Sequence, residues 1–187
     1  AEVPLVVPTL AIETVAAGGG SICRRDAGRF LVGPESAGAD PGPACYGRGG
    51  PLTVTDLNVR LGRVREERFP FRLDRAAVAM RLSEAIGGGG ASGSVGDCAA
   101  STDGGAAPVD VANDAALDAA ALGWWRIANA KMAEAIRSVS VAKGYDPRRY
   151  PLVAFGGAAA QHACAVAEAI GMDRVLAPDD ASILSAV

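Results

Sequence analysis

The sequence predicts an α/β protein, and three observations carry that expectation. Near the C-terminus a short β run, Leu152-Val153-Ala154-Phe155, ends in the pair Gly156-Gly157 and opens at once into an Ala-rich helix. From about Asp114 to Lys143, apolar residues recur at the helical period: Leu117, Ala121, Trp124 or Trp125, Ala128, Met132, Ala135, Ile136 and Val139. A long amphipathic helix closed by Gly144 follows. Half of the 187 residues are hydrophobic but only 5% are aromatic, so the core is built from small side chains and closely approaching backbones.

Taken in order, residues 1–34 read as short strands joined by turns. Leu5-Val6-Val7 and Ile12-Glu13-Thr14-Val15 are β-prone, and Gly18-Gly19-Gly20-Ser21 breaks the run. Phe30-Leu31-Val32 is a further strand after an Asp26-Ala27-Gly28 turn. Glycine and proline dominate from Gly33 to Pro51, where an ordered loop without regular structure is expected. Thr53-Val54-Thr55-Asp56 leads into a short helix, with Thr55 or Asp56 as N-cap and Leu57, Leu61 and Val64 along one side. A second helix starts at Asp74 and ends before Gly87. Residues 87–112 carry almost no large apolar group and read as a flexible insertion. After the long helix come an Asp146-Pro147 turn, strand 151–155, helix 160–170 closed by Gly171, and strand 174–177. This is a right-handed parallel βαβ unit.

Composition excludes some classes of function. The net charge of −3 and pI near 5.2 leave no basic face for phosphate neutralisation, so nucleic acid is not an expected partner. No apolar run is long enough to cross a bilayer. The four cysteines, Cys23, Cys45, Cys98 and Cys164, do not pair at metal-ligand spacing, and His162 is the only histidine. Free thiols in a reducing cytoplasm are expected.

The strand–Gly-Gly–helix junction suits a nucleotide. Glycines let a ligand approach the main chain, and the helix N-terminus behind them offers unpaired N–H groups. The same junction also serves as a tight βα turn. Gly18, Gly19, Gly20 and Ser21 can cradle a phosphate or simply connect strands. Asp56 can hold a magnesium ion or position a water, or it can cap its helix. His162, at a helix start, can bond a nucleotide or substrate, or be a satisfied structural residue. Of the two adjacent tryptophans, one is expected buried and the other partly exposed.

Several ordered motifs together resemble one family. They are Thr14-Val15-Ala16-Ala17-Gly18-Gly19-Gly20-Ser21, then Gly33-Pro34-Glu35-Ser36-Ala37-Gly38-Ala39-Asp40-Pro41-Gly42-Pro43-Ala44-Cys45-Tyr46, then Gly49-Gly50-Pro51-Leu52-Thr53-Val54-Thr55-Asp56. Phe155-Gly156-Gly157-Ala158 and Gln161-His162-Ala163-Cys164 complete the set. The chain resembles the A-type region of the ATP-dependent hydantoinase and 5-oxoprolinase family, with Gln161-His162-Ala163-Cys164 closer to the 5-oxoprolinase branch.

That resemblance implies part of an actin-like ATPase fold, its C-terminal half, as one partial domain over residues 1–187. It implies ATP with magnesium as cofactors, a small cyclic amide as substrate, a B-type region or subunit as partner, an oligomer, and a cytoplasmic location. It assigns Asp56 to catalysis, and Gly18, Gly19, Gly20, Ser21, Gly156, Gly157, Gln161 and His162 to the nucleotide. Two alternatives stay open: an ATP-dependent ketone carboxylase subunit, and a non-catalytic actin-like interaction module. The chain departs from the family in three ways. It lacks the upstream Gly-Gly-Thr phosphate loops, it has Ala11 where aspartate is common, and it has Ala159-Ala160 at a usually glycine-rich helix start. It therefore reads as a fragment, inactive in isolation.

Overall fold

The computed structural model describes residues 14–87, 111–179 and 181. The first elements are two antiparallel strands, β1 (Ser21–Asp26) and β2 (Arg29–Ser36). They are joined by a two-residue turn in which Ala27 and Gly28 both take positive φ, the turn that matches strand twist. The pairing Cys23↔Val32 through Asp26↔Arg29 gives way to Ser21↔Ser36 across an irregularity. That bulge carries β2 through Gly33 and Pro34 to Ser36, beyond the point where the sequence suggests an irregular loop. Gly33 is required there: its φ is +60° and a Cβ would stand 2.5 Å from the Ala16 carbonyl oxygen. A 3₁₀ turn at Ala44–Tyr46 is the second regular piece in the Gly/Pro-rich stretch.

Helices α1 (Val54–Arg60), α2 (Arg75–Gly87) and α3 (Val111–Ala142) follow. The N-cap of α1 is Thr53, two or three positions before the residues suggested by the sequence; Asp56 occupies the third helical position and closes a capping box. Asp74 receives the Ala77 N–H at 2.9 Å and so starts α2 where the sequence places it. Gly87 and residues 111–112 belong to helices, and the rest of the expected insertion, 88–110, lies outside the described residues, as do Leu5-Val6-Val7. Thr14 and Val15 form no strand.

Helix α3 is the spine of the core. Its N-terminal part packs on the hairpin, α1 and α2, burying Leu117, Ala121, Trp124 and Ala128 against Val32, Leu57, Val78 and Leu82. Both tryptophans are buried, contrary to the expectation that one would be partly exposed. Trp124 lies 4.3 Å from the Phe30 ring centroid and donates its indole N–H to the Arg24 carbonyl at 3.0 Å. Gly123 makes room for that ring, since a Cβ there would come within 2.7 Å of it. Trp125 is held on the neighbouring face by polar partners described below.

Strand β3 (Leu152–Val153), helix α4 (Ala163–Ile170) and strand β4 (Val175–Leu176) form the C-terminal unit. The strands are parallel, with Leu152↔Val175 and Val153↔Leu176, and shorter than the sequence suggests. The positive φ of Gly156 turns the chain out of the ladder, and Gly171, also at positive φ, closes α4. Between them the chain makes a 3₁₀ turn, Ala159–Gln161, before α4 begins. A small cluster of Ala133, Val166 and Ile170 ties α4 to α3. No helix among the described residues is long and apolar enough to cross a membrane.

Candidate nucleotide site

The two glycine segments singled out by the sequence meet in space. A Cβ on Gly19 would stand 2.9 Å from Thr55 Oγ1 and 3.3 Å from Ala158 Cβ, the residue directly after Gly156-Gly157. Residues some 140 positions apart therefore touch only because position 19 has no side chain. Neither Gly156 nor Gly157 has any atom within 4 Å of where a Cβ would lie, so the turn faces open space. Gly156 needs glycine for its φ of +89°, whereas Gly157 does not. The Gly156 N–H donates to the Ala181 carbonyl at 2.6 Å, which fixes the far side of the turn.

The glycine run is tied down carbonyl by carbonyl. Gly18 O accepts from Ser21 N at 3.0 Å, Gly19 O from Thr55 N at 2.9 Å, and Gly20 O from Ala37 N at 2.9 Å. Thr55 Oγ1 adds a second bond to Gly19 O at 3.0 Å. Ser21 is buried at the start of β1. Gln161 ends the Ala159–Gln161 turn half-buried, beside the same junction.

Asp56 sits under this surface rather than on it. It is fully buried, with Oδ1 taking the Cys45 N–H at 2.7 Å. Oδ2 takes Ala44 N–H at 3.1 Å, Thr53 N–H at 2.7 Å and Thr53 Oγ1 at 2.8 Å. Four donors from the chain occupy a carboxylate that has about four acceptor positions. In this geometry Asp56 is closed to a magnesium ion or a water; it pins the Ala44–Tyr46 turn to the start of α1. Its charge and their own burial push the thiols of Cys23 and Cys45 well above the ordinary range, burial being the larger cause, so both stay protonated. No group of three or more His, Cys, Asp or Glu side chains gathers among the described residues. These residues do not fit a magnesium site.

His162 is likewise turned inward. It is 2% exposed, and Nδ1 lies 2.7 Å from Asn129 Oδ1 while Nε2 lies 3.0 Å from Asn58 Nδ2. The direction of these bonds is fixed from one end. Trp125 Nε1–H can only donate, and it does so to Asn58 Oδ1 at 3.0 Å. Asn58 must then donate Nδ2–H to His162 Nε2, which leaves the proton on Nδ1 for Asn129. The ring is neutral, and burial followed by the nearby Arg63 charge lowers its pKa to about 4. Arg63 stacks 3.8 Å over Trp125, and Trp125 stacks on the imidazole with centroids 5.8 Å apart. Both imidazole nitrogens are thus engaged by asparagines, not presented to a ligand.

Sequence reading missed Thr55, Asn58, Trp125 and Asn129 as members of this arrangement. A signal did exist: Thr55 and Asn58 are three apart on α1, and Trp125 and Asn129 four apart on α3, so each pair shares a helix face. Asn58 is also a polar residue between two apolar ones, Leu57 and Val59, and all three are buried. Among the described residues, one buried donor, Asn129 Nδ2, has no partner.

Comparison with known proteins identifies the family. The Hydantoinase/oxoprolinase family model matches residues 1–187. The 5-oxoprolinase PfmaA of Pestalotiopsis fici is 41% identical over 194 residues, covering all of this chain and 14% of that protein. The crystal structure of the ATP-dependent caprolactamase from Pseudomonas jessenii superimposes with a TM-score of 0.72 at 37% identity, over 96% of this chain and 23% of that one. A nucleotide-free acetone carboxylase shares the fold, with a TM-score of 0.66 at 24% identity, over 89% of this chain and 21% of that one. This chain thus spans less than a quarter of the length of each, about one seventh in the case of the oxoprolinase. With its ordered glycine and Gln-His motifs brought onto one mixed α/β framework, the chain belongs to the hydantoinase/oxoprolinase family.

Proposed function

We propose that this chain is the nucleotide-binding portion of an ATP-dependent cyclic amide hydrolase of the 5-oxoprolinase or hydantoinase type. The observation that carries the reading is the meeting of Gly18–Gly20 with Gly156–Ala158 beside an open turn. Family membership and the ATP-dependent caprolactamase neighbour support it. In this reading the fold is the C-terminal half of an actin-like ATPase, residues 1–187 being one partial domain. Gly156 and Gly157 form the floor for adenosine, and Gly18, Gly19, Gly20 and Ser21 face the phosphates, with Gln161 at the rim. The reaction explains the nucleotide: an amide carbonyl is a poor electrophile, and phosphorylating its oxygen creates a leaving group. A B-type region or subunit then opens the activated ring, in a cytoplasmic oligomer; the caprolactamase relative is itself described as a subunit alpha.

Asp56 and His162 act in this proposal by holding backbone and side chains in place, not by touching substrate. For the isolated chain, these engaged side chains favour the reading as a non-catalytic module: residues 1–187 alone should release no phosphate from ATP. The test is the complete enzyme with 5-oxoproline, hydantoin and caprolactam in turn. Ring opening of one of them, matched by phosphate release and absent without ATP, is the expected result. Ring opening that proceeds without ATP would overturn the proposal.

A further inference from the structure

We infer that Thr55 is a positioning residue for the triphosphate: it holds the Gly19–Gly20 peptide so that the Gly20 N–H, beside the Gly19 N–H, stands fixed for phosphate oxygens. The inference rests on the nucleotide reading above and adds a residue and a contact to it.

Thr55 makes two bonds to one acceptor, from its N–H at 2.9 Å and its hydroxyl at 3.0 Å, both to Gly19 O. In a trans peptide the C=O and the following N–H point in opposite directions. Anchoring Gly19 O on α1 therefore aims the Gly20 N–H away from α1. The bond from Ser21 N to Gly18 O does the same for the Gly19 N–H. Among the described residues neither of these N–H groups donates to anything, although the carbonyls on either side are all engaged. Donors held in place before a ligand arrives cost no reorganisation when charge must be stabilised.

The anchor is itself rigid. Thr53 and Asp56 lock the first turn of α1 through the capping box, and Asp56 also pins Ala44 and Cys45. Three residues beyond Thr55, on the same helix face, Asn58 binds His162 at the start of α4. One face of α1 thus holds the Gly18–Gly20 run and the segment after Gly156-Gly157 at a fixed separation. The contact between Gly19 and Ala158 is the visible result.

The test uses the complete enzyme and titrates both ATP and adenosine. Thr55→Val keeps the backbone N–H and the shape but replaces the hydroxyl with a methyl, which cannot bond Gly19 O and must push it away. ATP affinity should fall about tenfold, adenosine affinity should stay level, and Thr55→Ser should restore ATP binding. The melting temperature of Thr55→Val serves as the check on folding. Should Val prevent folding, Thr55→Ala against Thr55→Ser makes the same comparison. Unchanged ATP affinity in Thr55→Val would overturn the inference. So would an equal loss for ATP and adenosine, or a Ser variant as weak as Val. A parent enzyme that binds no ATP would overturn the nucleotide reading itself.

Discussion

Around Trp124, the hairpin, α1, α2 and the first half of α3 bury a continuous apolar core, whereas the β3–α4–β4 unit meets α3 through a small cluster of Ala133, Val166 and Ile170. The first region fully buries Trp124, Leu57 and Leu82. The second leaves Val153, Phe155 and Leu176 about half exposed on its two-stranded sheet. Besides that small apolar cluster, a polar chain joins them, running from Arg63 through Trp125, Asn58 and His162 to Asn129. The open glycine turn belongs to the thinner region and the anchored glycine run to the thicker one. A nucleotide seated between them would therefore rest one end on a rigid framework and the other on an element of low local stability, from which ligand-gripping segments are commonly drawn.

The largest test of this contrast lies in the two cores. Trp124→Ala removes a fully buried ring and its bond to Arg24, and should cost about 3–5 kcal/mol. Ile170→Ala should cost roughly 2 kcal/mol, the lower end for such truncations, because the smaller cluster can relax around the gap. Urea denaturation of both variants decides it; equal losses would mean that the two regions are equally packed.

Acid attacks the joint between them. His162 in the folded chain has its pKa lowered to about 4 from 6.5, so on acidification the unfolded chain takes up the proton first. The stabilisation is complete above pH 6.5 and is lost as pH falls from there towards 4, about 3 kcal/mol in all. Hydrogen exchange across that window should show α4 opening before α1. Simultaneous opening would show that the polar chain is not the weaker seam.

A smaller effect sharpens the role of the framework. In Asp56→Asn the amide nitrogen cannot accept, so at least one of the buried N–H groups of Ala44, Cys45 or Thr53 loses its partner, costing about 1–3 kcal/mol. In the complete enzyme, loss of melting temperature with phosphate transfer reduced only in proportion to the folded fraction is the expected pattern. Abolished transfer in fully folded protein would return Asp56 to catalysis.

The smallest stability effect belongs to the open turn. Gly157 is not at positive φ and has free space where a side chain would grow, so Gly157→Val should change stability by no more than about 0.5 kcal/mol. In the complete enzyme it should nonetheless weaken ATP and adenosine alike, measured by titration beside thermal melts. Undiminished affinity would make the turn a plain strand–helix junction.

Much of this protein follows from patterns within single elements. The span of α3, the start of α2 at Asp74 and the hairpin turn at Ala27-Gly28 each depend on residues a few positions apart. Helical period, capping and turn chemistry act at that range, so sequence alone determines them. The ordered glycine motifs likewise announce the family without reference to any contact. Tertiary structure decided what Asp56, His162 and Trp125 do, because their partners arrive from elsewhere in the chain. Asp56 is consumed by N–H groups 11 and 12 residues away, and His162 by asparagines 104 and 33 residues away. A carboxylate or an imidazole is equally suited to bind a ligand or to satisfy buried donors and acceptors. Which of these happens depends on which backbone and side chains the fold places beside it, and no local pattern records that.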